Sequence, residues 1–88
     1  MEFLTLSTVA QTDYVLSGLR PGEKGVVQGL TGQASARQRL FEMGFVPGAP
    51  VKVVRLSPLG DPMEVVVSGY HLAIRRRDAH CISLRSPA

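Results

Sequence analysis

The sequence has no tryptophan and a single cysteine, Cys81. One thiol cannot close a disulfide within the chain, which excludes a disulfide-stapled secreted module. The aromatic residues number only five: Phe3, Tyr14, Phe41, Phe45 and Tyr70. That scarcity argues against two binding classes. Proline-rich peptides dock in aromatic-lined grooves, and small barrels that hold single-stranded nucleic acid stack the bases on aromatic platforms. No apolar run has the ~18 residues that a bilayer-spanning helix needs. The opening Met1-Glu2-Phe3-Leu4 lacks the basic start and long apolar stretch of a signal peptide. A reducing cytoplasm is therefore the expected location. Charge is also modest. Ten basic and seven acidic side chains leave a formal +3, which favours anionic surfaces mildly and does not by itself identify nucleic acid.

What is present fits one small domain. At 88 residues the chain can bury one core and no second lobe. Hydrophobic residues make up 44%, too many for a disordered chain. Eleven valines against two isoleucines and ten leucines lean the composition toward strands. Nine glycines and six prolines require frequent turns.

Residues 1–13 show no sustained period and read as an N-terminal extension; the domain is expected over 14–88. Pro21-Gly22 marks a turn, after which Lys24–Leu30 reads as a strand. The adjacent Val26 and Val27 leave its inward parity open and allow a bulge. The stretch 35–43 is the one good helix. Ser35 is placed to cap it, and Gln38 completes a capping box. Gly44 stands at the position after the helix where a left-handed conformation is needed. Ala36, Leu40 and Met43 share one face. Pro47-Gly48 turns the chain, and Pro50–Leu56 reads as a strand with Val51 and Val53 on one face. The 57–62 stretch, with Pro58, Gly60 and Pro62, is a loop. Over 63–68, Met63, Val65 and Val67 alternate inward. Ser68-Gly69 suggests a tight hairpin. Leu72 and Ile74 continue the inward set, 75–79 reads as a short turn, and Ile82 and Leu84 close the pattern. Five short strands and one helix predict an all-β fold with a short inserted helix, a small SH3-like barrel of about five strands, with an OB-like barrel as the second form.

Catalytic chemistry finds no support. No Gly-x-Ser-x-Gly elbow frames a serine, and the glycines from Gly18 to Gly25 lack phosphate-loop spacing. Neither an enzyme nor a cofactor is expected. Candidate metal ligands are His71, His80 and Cys81, but His80 and Cys81 are adjacent and would point to opposite faces of a strand. Surface positions are the expectation for all three. The run Arg75-Arg76-Arg77 could meet phosphates, so a small basic nucleic-acid-binding barrel is the alternative function. The missing aromatic platform weighs against it.

The residues Arg39-Leu40, Met43-Gly44-Phe45-Val46-Pro47-Gly48 and Val51 resemble the helix-to-strand signature of the ferrous iron transport protein A (FeoA) family. Pro58-Leu59-Gly60-Asp61-Pro62 with Val65 and Val67 is similar to that family's next loop and strand. Leu72-Ala73-Ile74-Arg75-Arg76, Ala79 and Ile82 resemble its ending, and Leu16 to Leu19 with Pro21 to Glu23 its opening. The resemblance spans about residues 16–85, in order. It implies a small cytoplasmic accessory of ferrous iron uptake that binds the G-protein-bearing cytosolic part of the membrane transporter FeoB. Membrane contact is then expected only through that partner. Leu40, Met43, Gly44, Pro47, Gly48 and Pro62 read as structural members of the motif. Arg37 and Phe41 on the helix, and Pro58, Leu59, Gly60 and Asp61 in the loop, are the candidate partner-binding residues. Phe41 has a competing expectation, that it widens the buried face and packs against Phe45 or the extension.

Overall fold

Alternating valines and closely spaced turns leave this chain one economical way to bury its apolar side chains, a sheet bent around them. The computed structural model describes residues 14–87; the extension over 1–13 lies outside them. In chain order the elements are β1 (Tyr14–Val15), a 3₁₀ turn (Leu16–Gly18), β2 (Lys24–Leu30), α1 (Ala34–Glu42), β3 (Pro50–Leu56), β4 (Met63–Val67), β5 (Tyr70–Ile74), α2 (Arg76–Ala79) and β6 (Ile82–Arg85). The strands form one sheet in the order β1-β6-β2-β3-β4-β5, and every pairing is antiparallel. The described residues hold six strands rather than about five. The addition is β1, whose two residues are too few to show a period. It pairs with β6, Tyr14 opposite Leu84.

Two bulges bend the sheet. The β2–β6 register shifts between Val27 and Gly29, and the β3–β4 register shifts between Val53 and Arg55. The first resolves the parity of β2: Val27 is buried and Val26 faces outward. β4 shows the expected alternation, with Met63, Val65 and Val67 fully buried. Ser68 and Gly69, at φ 48° and 88°, make the tight turn into β5. Leu16, Leu40, Phe45, Val51, Val53, Ile74, Ile82 and Leu84 join the same core, and Met43 and Leu72 pack against it partly buried.

The start of α1 differs from expectation. The helix begins one residue earlier, and Gln33 occupies the cap position with no side-chain cap bond. Ser35 therefore lies within the first turn, and Gln38 donates to the Glu42 carboxylate at 2.9 Å instead of closing a capping box. The backbone supplies the entry. Gly32 turns the chain at φ 97°, and the Arg37 guanidinium donates to its carbonyl. The stretch after β5 also differs, since 76–79 forms a single α-helical turn.

The end of α1 matches expectation. Gly44 takes φ 112°, its N–H bonds the Phe41 carbonyl at 3.0 Å, and the Phe45 N–H bonds the Leu40 carbonyl at 3.1 Å. This is a Schellman motif, and it drives Phe45 down beside Leu40, both fully buried.

Two outcomes test these assignments. Val65→Asp places an unpaired charge in the core, a cost of several kcal/mol against a total of about 5–15. Loss of soluble folded protein is expected, and a native circular dichroism spectrum would refute the inward placement of Val65. Gly44→Ala has room, since a Cβ there would sit 3.8 Å from Val67 Cγ1. Its penalty is the positive φ alone, about 1–2 kcal/mol, read as a fall in melting temperature of about 4–16 °C. An unchanged melting temperature would refute it.

Candidate functional site

The outer side of α1 is more open than a packed helix requires. Burial runs through Ala36, Leu40 and Met43, whereas Phe41 is 51% exposed. Helix geometry explains this: Leu40 faces the core with Phe45, and Phe41 stands about 100° around from Leu40. At this exposure Phe41 does not widen the buried face, and a contact with the extension lies outside the described residues. Phe41 instead lines an apolar groove with Leu30, Ala34, Arg37, Gln38 and Pro47. The bond from Arg37 to the Gly32 carbonyl holds its guanidinium at the groove wall. Two of the candidate binding residues, Arg37 and Phe41, thus meet in one place.

The other four lie in the loop between β3 and β4, and none of them lines the groove. Leu59 at the loop tip is 94% exposed, yet the loop is fastened on every side. The Gly60 N–H donates to the Ser57 carbonyl at 2.7 Å, and the Ser57 hydroxyl donates to the Pro62 carbonyl at 2.9 Å. Asp61 is tied back to the fold. Its carboxylate accepts the Arg76 N–H at 2.9 Å, at the entry to α2. The Arg76 guanidinium returns to the Gly60 carbonyl at 3.0 Å. Arg39 then joins α1 to α2 through Asp78 at 3.3 Å.

That arrangement divides the basic run. Arg76 clamps the loop, so 75–77 does not act as one phosphate-facing block. Sequence reading missed this role because three consecutive arginines look equivalent until the fold places one of them opposite a loop carbonyl.

The candidate metal ligands do not converge. His71 stands on β5 with Nε2 3.7 Å from Glu64. His80 and Cys81 are not on a strand; they follow α2, before β6 begins. His80 Nδ1 lies 3.5 Å from the Ser17 hydroxyl, and Cys81 Sγ lies 3.8 Å from the Arg77 carbonyl. Among the described residues no group of three or more His, Cys, Asp or Glu side chains is placed to hold a metal ion. Glu64 is engaged elsewhere. Arg55 donates to both its carboxylate oxygens at 2.9 Å, and this bond holds Glu64 below the usual carboxylate range and raises Arg55. The contribution is present at neutral pH and fades as pH falls through the lowered Glu64 pKa.

Comparison with known proteins fits this geometry. The family model described as the FeoA domain matches residues 14–86. A fusion of Fe(2+) transport protein A with the Fe(2+) transporter FeoB, from Porphyromonas gingivalis, is 39% identical over 64 residues; the match takes in 73% of this chain and 8% of the fusion's length. The solution structure of a FeoA protein from Chlorobium tepidum is 39% identical with a TM-score of 0.78, covering 85% of this chain and 71% of that one. The crystal structure of Stenotrophomonas maltophilia FeoA complexed with zinc, an SH3 domain protein suggested as a ferrous iron transport activating factor, is 30% identical with a TM-score of 0.68, covering 78% and 86%. No helix among the described residues is long and apolar enough to cross a membrane. The fold is SH3-like, and the chain belongs to the FeoA family, whose members are associated with ferrous iron transport.

Proposed function

We propose that this chain is a non-enzymatic accessory of ferrous iron uptake that works in the cytoplasm by binding the cytosolic, G-protein-bearing part of FeoB. The observation that carries the reading is the pair of apolar contacts held on ordered backbone. Leu59 projects from a loop tied at Ser57, Gly60, Asp61 and Arg76. Phe41 opens into a groove with a fixed arginine at its wall. A backbone that is already tied loses little entropy on association, which is how a small surface reaches useful affinity. Exposed aromatic and arginine side chains are the composition that interface hot spots favour. The Porphyromonas gingivalis fusion supports the same pairing, because it carries both proteins in one polypeptide.

Calorimetric titration against the isolated cytosolic domain of the transporter tests this, with and without guanine nucleotide. Phe41→Ala and Leu59→Ala are each expected to weaken binding by more than about 1 kcal/mol. Both positions are exposed, so the melting temperature is expected to move by less than about 4 °C. Arg76→Ala is expected to weaken binding as Leu59→Ala does, by loosening the loop, while Arg75→Ala leaves affinity unchanged. Wild-type affinity in all three variants, or no binding by the wild-type chain, would refute the assignment.

A further inference from the structure

The outward side of β2, β3 and β4 has no part in those contacts. Its members follow from the register. Gly25, Val27, Val51, Val53, Val65 and Val67 are buried, so Lys24, Val26, Lys52 and Val66 face away from the core. Lys24 and Lys52 stand directly opposite each other across β2 and β3. They are the only two lysines in the chain. Like charges in that relation are destabilising. Both are exposed, and neither has a carboxylate within ion-pair distance among the described residues. Arg85, opposite Val26 on β6, adds a third exposed cation on the same side. The nearby carboxylates are engaged: Glu64 by Arg55, and Glu23 by the Arg20 N–H at 2.7 Å.

A shallow groove is lined by both lysines together with Val26, Pro50, Val66 and Pro87. Among the described residues no side-chain hydroxyl, amide or guanidinium lines it. A site for one carboxylate or phosphate needs several converging donors, and lysine is a compact hydrated charge rather than a planar fork. Single-stranded nucleic acid would need aromatic platforms, which these positions lack. Two unpaired lysines and an arginine spread over three strands, with small apolar side chains between them, complement a diffuse anionic plane.

We infer that this face rests on the anionic headgroups of a phospholipid bilayer, its lysines reaching the phosphates beside Val26, Pro50 and Val66. The inference relies on the proposed membrane-bound partner only to explain why the chain is near a bilayer, and it replaces contact through the partner alone with direct contact. The test uses the full chain and no transporter. Co-sedimentation is measured with vesicles of phosphatidylcholine mixed with phosphatidylglycerol, and with vesicles of phosphatidylcholine alone. Weak, salt-sensitive binding to the mixed vesicles only is expected. Lys24→Ala and Lys52→Ala should each lower partitioning about fivefold, and Arg77→Ala on α2 should leave it unchanged. Equal binding to both vesicles, or lysine variants that bind like the wild type, would overturn the inference. So would tighter binding to duplex DNA that the same substitutions abolish. Loss of affinity for the transporter's cytosolic domain in the lysine variants would assign the face to an acidic protein instead. Failure of the wild-type chain to bind that domain leaves the vesicle result standing, so the two readings fall separately.

Discussion

Gly44 sets the positions of most of what matters here. At φ 112° it ends the helix and reverses the chain within one residue. A side chain at that angle is strained, so the turn depends on glycine. The reversal sends Phe45 into the core beside Leu40, and the chain then passes through Pro47 and Gly48 into β3. Phe41, about 100° around the helix from Leu40, stays half exposed. One backbone angle thus places the aromatic that holds this end of the fold together.

Much of the fold was legible because β-strand alternation survives in the text. Val51, Val53, Met63, Val65 and Val67 mark an inward face at a period of two, and Pro21-Gly22, Gly44 and Ser68-Gly69 mark turns that the backbone angles reproduce. The helix start was not legible in the same way. Ser35 and Gln38 have the chemistry of a capping box, but a glycine turn at Gly32 and the Arg37 side chain set the entry one residue earlier. β1 escaped notice because two residues carry no period, and its place depends on β6, almost seventy positions away in the sequence.

The surface was harder to read than the core, for a physical reason. Burial constrains residue type at every inward position, while contacts between exposed polar groups depend on which distant segments meet. The loop candidates 58–61 were recognised from a motif, yet their division of labour was not. Leu59 is presented outward, whereas Asp61 turns back to bond the start of α2. Likewise Lys24 and Lys52 are 28 positions apart, and only the β2–β3 register makes them neighbours.

The clamp at Arg76 has a consequence for how force passes through the molecule. Loop, α2 and α1 form a series: Gly60 to Arg76, then Asp78 to Arg39. The last link is an exposed ion pair at 3.3 Å, and such a pair is worth roughly 0–1 kcal/mol. It is too weak to transmit a shift from Leu59 to Phe41 with much fidelity. On the proposed reading, Leu59 and Phe41 would therefore act as separate grips on one frame. Grips of that kind multiply in strength only when both fit at once. A partner held at two such points is fixed in orientation as well as in place.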